Sequence, residues 1–303
     1  MARRRKGDPV HGWVFLDKPL GLGSTQAVSL VKRIFNAQKA GHAGTLDPLA
    51  TGLLAVALGE ATKTVPYMMD ADKTYTFTVT WGEATSTGDA DERGEVIASS
   101  DARPARDQIE AVLTQFLGEI DQVPPAYSAI KLDGKRAYDL ARAGEEVEIE
   151  PRRVRIERLT LTSCPDRDHA SFEVACSKGT YVRSLGHDIA LALGTQGHLS
   201  ALRRIGSGGI DIAQAVSPDQ LEAASPEELG SLLHPLDVVI AHLPRIELNA
   251  AQAARVTHGN SVTLLPGQCR APEEEVLLAS NAAPLAIARL AGNEAQPVRV
   301  FNL

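Results

Sequence analysis

The segment Thr74–Trp81 reads TYTFTVTW, with threonine at every second position and Tyr75, Phe77, Val79 and Trp81 between. Neighbouring side chains on a strand point to opposite faces, so this spacing predicts a half-buried β-strand with one bulky and one small polar face. It commits the chain to a sheet with at least one covered face. Gly12–Lys18 (GWVFLDK) reads as a buried strand, and Ser24 or Thr25 can cap a helix whose Val28, Val31, Ile34 and Phe35 recur at helical spacing. Gly52–Leu58 is a compact apolar run, Glu60–Met69 reads as a helix, and Arg106–Leu117 as a second one with Ile109, Val112, Leu113 and Phe116 on one side. Arg152–Leu161, Ser171–Ser177 and His198–Ile205 read as strands and Tyr181–Leu193 as a helix, which makes the fold class mixed α and β.

A chain of 303 residues has room for one large domain, or a domain with an appendix. Its 44% hydrophobic and 23% charged residues are the mix of a globular protein that buries a full core. No apolar run reaches the roughly 18 to 20 residues needed to span a bilayer, and the basic stretch Met1–Lys6 has no hydrophobic segment after it, so neither membrane insertion nor export is expected. Cys164, Cys176 and Cys269 are scattered without a CxxC pair, which argues against a disulfide framework or a cysteine zinc site and for a reducing cytoplasm. A net charge of -7 counts against nonspecific coating of nucleic acid. From residue 211 onward there are 11 acidic against 5 basic side chains, whereas residues 1–210 hold 27 and 26. A nearly neutral domain with local basic patches can still bind folded RNA by shape and a few placed contacts.

Residues 1–9 read as a basic tail and residues 10–240 as the main domain. Within it, 83–95 is a polar connection. Residues 121–151, with Pro124-Pro125, an Asp133-Gly134 turn and an amphipathic helix from Lys135 to Arg142, read as an insertion projecting from the sheet. Pro218 and Pro226 suit the first turns of short helices, a linker is expected around 236–244, and residues 241–303 read as a small unit of short strands and one helix.

The loop Gly41–Gly52 holds His42, Thr45 and Asp47, with Gly41 and Gly44 permitting unusual backbone angles and Pro48 restraining the backbone beside it. On spacing alone Asp47 is equally a turn or cap residue. No GxxxxGK[ST], GxGxxG after a strand, HExxH or HxE with PCxxC is present, so phosphate-loop, dinucleotide, zincin and zinc-deaminase chemistries lack their groups; neither metal nor cofactor is expected.

Seven motifs then occur in one order: LDKP at 16–19, GHAGTLDPLATGLL at 41–54, LGEATK at 58–63, KTY at 73–75, VPPAYSAIK at 123–131, SKGTYVRSL at 177–185 and LRR at 202–204. Through them the chain resembles the bacterial tRNA pseudouridine synthase B (TruB) family from about Gly12 to Ile205. The resemblance implies the pseudouridine synthase fold, a mostly antiparallel mixed sheet flanked by helices, with a small C-terminal PUA-like β-rich domain. It also implies isomerisation of uridine 55 in the T-loop of tRNA to pseudouridine, with the T-arm as partner, no membrane and no obligatory protein partner, as a monomer. The 121–151 insertion would clamp the RNA.

In that reaction uracil leaves C1' of its ribose, turns, and rejoins through C5, so one carboxylate suffices in principle. The resemblance makes Asp47 the nucleophile, either at C1' or by acting on the base. It sets Arg183 beside the aspartate, as the cation that keeps a buried carboxylate ionised. Tyr181 lies two residues earlier, and along an extended segment the two side chains would share a face. The resemblance sets Tyr75 against the flipped base, where its hydroxyl can serve in proton transfer, and Leu202 in contact with the base. His42 would fill the space the uridine vacates. Taken as bare sequence, Tyr75 is an alternating strand residue, Leu202 a core leucine and His42 a loop histidine. Lys18, Lys63, Lys131, Lys135, Arg136, Arg152, Arg153, Arg203 and Arg204 are candidates for phosphate contacts. Alternatives are a tRNA-folding chaperone with incidental catalysis, a guide-RNA-dependent synthase, and a nucleoside hydrolase, the last lacking an acid partner for water.

Overall fold

A computed structural model describes residues 7–91, 94–128, 130–132, 135–137, 149–268 and 275–303, with side chains at 131, 132, 135 and 136 left aside. Lys135–Arg136, where a helix is expected to begin, instead pairs as a short strand with Lys131–Leu132. Residues 138–142 of that helix, the side chains of the phosphate candidates Lys131, Lys135 and Arg136, most of the basic tail and Cys269 lie outside the described residues or side chains.

The strands in chain order are β1 (Gly12–Lys18), β2 (Ala40–His42), β3 (Ala50–Leu58), β4 (Lys73–Trp81), β5 (Glu83–Thr85), β6 (Val96–Ser99), β7 (Gly118–Gln122), β8 (Lys131–Leu132), β9 (Lys135–Arg136), β10 (Arg152–Ser163), β11 (His169–Cys176), β12 (Gly197–Ser207) and β13 (Ile210–Asp211). The helices among them are α1 (Ser24–Ile34), α2 (Val65–Asp70), α3 (Arg106–Val112) and α4 (Val182–Ala192). Nine strands form one sheet in the order β1-β3-β12-β4-β11-β10-β7, with β2 on β3 and β13 on β12. Every pairing is antiparallel except that of β12 with β3, so the sheet is mixed and mostly antiparallel.

The alternation in β4 does what its spacing predicts. Phe77, Val79 and Trp81 are buried and join Phe172, Val174, Leu185 and Ile189 in one cluster, with α3 and α4 as the covering layer. The Phe77 and Phe172 rings stack with centroids 5.0 Å apart. On the other arm, α1 packs Ala27 and Val31 against Val14, Leu16, Leu54 and Val56 of β1 and β3.

Several elements differ from expectation for local reasons. The helix expected over Glu60–Met69 splits into a tight 3₁₀ turn, Gly59–Lys63, and α2, because Pro66 lacks an amide hydrogen and suits only a first turn. Gly23, not Ser24 or Thr25, caps α1, since the Ser24 hydroxyl is turned inward to Leu46. Arg106–Leu117 is helical only to Val112 and then tightens into a 3₁₀ turn, Leu113–Phe116.

A second sheet of five strands holds β14 (Arg245–Glu247), β15 (Val262–Thr263), β16 (Glu275–Ser280), β17 (Ala283–Ala291) and β18 (Glu294–Val300). The helices α5 (Pro218–Ala223) and α6 (Pro226–Ser231) precede it, each with proline in its first turn and a serine cap, and α7 (Ala250–Thr257) packs on it. The expected linker at 236–244 is no free tether, since Leu236, Val239 and Ile240 are buried with Trp13, Phe15, Leu277, Ile287 and Phe301. Lys63 Nζ donates to Val300 O at 2.6 Å, and the Asn302 amide donates to Glu60 at 2.9 Å, across the same junction. No helix among the described residues is long and apolar enough to cross a membrane.

Candidate active site

Register decides which residues meet. In β12, Leu202 sits between Ala50 and Phe77, and Arg204 between Gly52 and Tyr75. The central strand thus sets the end of the Asp47 loop beside the start of the alternating strand. At Gly52 the backbone has φ +96°, and a Cβ there would stand 2.2 Å from Arg204 O, so only glycine lets the strands approach. Of the two loop glycines singled out in the sequence, Gly44 adopts a left-handed angle, φ +89°, and Gly41 does not.

The Asp47 loop is tied from several sides. The Ser24 hydroxyl donates to Leu46 O at 2.7 Å and accepts from Leu46 N at 2.9 Å. Lys18 Nζ donates to Leu22 O at 2.7 Å and Pro19 O at 3.1 Å, with Pro48 O at 3.4 Å. Lys18 is wholly buried, which lowers its pKa to about 8 against the pull of Asp47. It is therefore a clamp on this loop and not a phosphate ligand.

Asp47, Tyr75, Tyr181, Arg183, Leu202 and Arg204 line one cavity of about 320 Å³, with Lys73 and Ser128 in its wall. Arg183 Nη2 is 2.9 Å from Asp47 Oδ2 and its Nε is 3.9 Å from Asp89 Oδ2. Its guanidinium also donates to Thr87 O at 2.7 Å and Tyr127 O at 2.9 Å. The arginine is buried, whereas the Asp47 side chain is 42% exposed, so the carboxylate faces an open mouth and is not sealed in a dry interior. A second cavity of about 230 Å³ shares Asp47, Ala50, Arg183 and Leu202 and is more apolar, with Leu20, Leu49 and Leu199.

Tyr181 and Arg183 reach the cavity by a different route from the one expected. The segment is not extended: Tyr181 caps α4 and Arg183 sits in its first turn. Gln122 holds the cap, its Oε1 accepting from Tyr181 N at 2.7 Å and its Nε2 donating to Tyr181 O at 3.1 Å. Tyr75 is half-buried and lines the cavity. Burial raises the phenol's pKa, opposed by the neighbouring Arg204 guanidinium, so it stays protonated at neutral pH. That makes it a donor and a poor resting base.

His42 lies on β2, half-buried, outside the residues that line either cavity. Burial and the charge of Arg204 lower its pKa, the Gly44 backbone opposing in part, and Nδ1 is buried without a hydrogen-bond partner among the described residues. The phosphate candidates fare worse. Arg204 is 2% exposed and donates to Leu53 O at 2.6 Å and Gly44 O at 3.2 Å, so it faces the cavity and not solvent. Arg203 is half-exposed but holds Asp17 through two bonds, of 2.9 and 2.7 Å, and Lys63 is engaged at the second sheet. Arg153 is exposed and loosely paired at 3.6 Å with Glu119 and Asp121 on the edge strand. Arg152 is exposed.

The sequence reading missed Asp89, Lys73 and Ser128. Asp89 stood in a stretch read only as polar connection, while Lys73 and Ser128 lay inside quoted motifs without being singled out. Lys73 is 7% exposed and donates to the Met68, Met69 and Ala71 carbonyls at the end of α2; burial, with the charge of Arg204, lowers its pKa to about 8. Ser128 Oγ is buried and has no hydrogen-bond partner among the described residues. No cluster of three His, Cys, Asp or Glu among the described residues could hold a metal.

Residues 32–182 match the model of the TruB family pseudouridylate synthase N-terminal domain, and residues 183–241 that of the tRNA pseudouridylate synthase B C-terminal domain. The chain belongs to the TruB family. Proteins called tRNA pseudouridine synthase B are similar along its whole length: that of Caulobacter sp. (strain K31) is 50% identical over 311 residues, covering 100% of both chains, and that of Brucella ovis (strain ATCC 25840 / 63/290 / NCTC 10512) is 48% identical over 324 residues, covering 100% of this chain and 99% of the relative. Among solved structures, a Cbf5-Nop10-Gar1 complex contains a chain 27% identical with a TM-score of 0.71, covering 96% of this chain and 84% of that one. The border between the two family models falls inside α4, between Val182 and Arg183, so the pair Arg183–Asp47 joins the two matched regions.

Proposed function

We propose that this isomerase converts uridine 55 in the T-loop of tRNA to pseudouridine, with Asp47 as nucleophile and the T-arm as its substrate. The observation that carries the reading is the ion pair of 2.9 Å between Asp47 and a buried Arg183, at the wall of a cavity roomy enough for a pyrimidine and backed by Tyr75. The relatives' name supplies the tRNA. The uridine flips from its loop into the cavity; an Asp47 oxygen bonds C1' as the C1'–N1 bond breaks, the base turns, C5 bonds to C1' as the Asp47–C1' bond breaks and frees the carboxylate, and the C5 proton is lost while N1 gains one. Atoms balance without oxidant or reductant. Arg183 aims the carboxylate, Leu202 and Tyr181 bound the base, and His42 contacts the RNA from the adjacent strand. The enzyme acts as a monomer in the cytoplasm.

The test is tritium release from C5-labelled uridine in a T-arm transcript, with the modified position mapped in whole tRNA. Release with the new nucleoside at position 55 supports the reading; free uracil would make the chain a hydrolase. A guide-dependent mode draws on the similarity to the Cbf5-Nop10-Gar1 structure. Turnover of a bare T-arm hairpin by the isolated chain would exclude it.

A further inference from the structure

Two buried guanidinium groups face the same cavity, and they are unequally balanced. Arg183 has two carboxylates within 4 Å. Arg204, 2% exposed, has none among the described residues; its hydrogen bonds go to two backbone carbonyls, and Tyr75 is its register partner on the next strand. A buried cation without a counter-charge is costly and is retained where an anion arrives or develops.

The geometry narrows what that anion is. Arg204 and Tyr75 are direct partners across β12 and β4, and both line the cavity. A phosphate stays on the RNA backbone outside, whereas the flipped base enters. When the C1'–N1 bond breaks, its electron pair goes to the base, which then carries negative charge spread over N1 and its carbonyl oxygens. Asp47, bonded to C1' at that point, has passed its charge to the base and has neither proton nor cation to offset it.

We propose that Arg204 is a positioning residue acting through Tyr75: the guanidinium donates to the phenol oxygen and so aims the phenol's own proton at the base, stabilising the electron pair released from C1'. The arrangement resembles an oxyanion hole built from a side-chain relay, with donors fixed before the charge appears. The protonated phenol suits this role better than that of a base. The inference rests on the uridine-isomerase reading and adds to it the group that receives the leaving electrons.

The test compares two T-arm RNAs, one with uridine and one with 5-fluorouridine at the target. Fluorine withdraws electrons and makes the base a better leaving group. Single-turnover consumption of the target nucleotide is measured for the wild type, Arg204→Gln, Arg204→Lys and Tyr75→Phe, with RNA affinity measured separately. Arg204→Gln should slow the uridine substrate by about 100-fold and the fluorinated one markedly less, with affinity unchanged and partial recovery in Arg204→Lys. The double variant with Tyr75→Phe should be no slower than the worse single. Equal losses on both RNAs, or a loss confined to affinity with a shallower salt dependence, would overturn the proposal. If Arg204→Gln does not fold, Tyr75→Phe alone decides, because it leaves both carbonyl bonds of Arg204 in place. No turnover by the wild type on either RNA would instead sink the uridine-isomerase reading itself.

Discussion

The two sheets of this protein bury different things. Around the nine-stranded sheet the interior holds Lys18, Lys73, Arg183 and Arg204, each less than a tenth exposed, and all but Lys18 line the larger cavity. The five-stranded sheet packs Ile246, Leu248, Val256, Val276, Leu278 and Ala286 into a core whose one buried polar side chain, among the described residues, is Gln252. Burying a charge costs several kcal/mol even after relaxation, so a fold keeps it only where something needs it. The acidic texture of the second sheet also argues against its being a broad phosphate-binding face, although Glu273 and Glu274 lie outside the described residues.

That contrast can be broken by experiment. Asp47→Asn should lower single-turnover rate by roughly 10⁴-fold while melting temperature and RNA affinity hold; a variant with normal turnover would show that the cavity's only role is packing. Leu278→Ala should do the reverse. Leu278 is fully buried, and its truncation should cost about 2–5 kcal/mol in urea unfolding with turnover of a T-arm hairpin intact. A fall in hairpin turnover would mean that the second sheet takes part in chemistry.

Lys73 offers a pH test. Its pKa of about 8 in the fold lies below the ordinary 10.5, so between those values the unfolded chain binds a proton that the folded chain does not. Stability contributed by this group therefore rises with pH across that window, by about 3 kcal/mol. Lys18, also near 8, adds a similar rise. In Lys73→Met the climb of urea midpoint from pH 8 to 10.5 should shrink by about half, and an unchanged slope would show the amine to be hydrated. The smallest effect is expected at Ser128, whose buried hydroxyl has no hydrogen-bond partner among the described residues. Ser128→Ala should change stability by less than about 1 kcal/mol and raise KM if that hydroxyl meets the substrate, with kcat held.

Much of this was legible in one dimension. The period-two alternation of β4 fixed its buried face, and GTLDP with KGTYVR supplied the carboxylate and the arginine that pair across the cavity. Local signals misled where long-range partners won. Ser24 looks like a helix cap until Leu46, 22 residues away, takes its hydroxyl. The LRR arginines look like solvent-facing cations; in the sheet one turns out to Asp17 and the other inward beneath Tyr75. Their spacing says only that they oppose each other, not which faces water.

Composition, alternation and motif order thus determined the mixed α and β class, the main strands and which residue types were present for chemistry. Those properties are set by contacts between near neighbours along the chain. Only the tertiary structure decided that β12 runs parallel to β3 and antiparallel to β4, which sets Arg204 beside both Gly52 and Tyr75. Only it decided that Arg183 holds two carboxylates and Arg204, among the described residues, none. Burial and charge balance depend on what arrives from distant parts of the chain, and no window of sequence contains them.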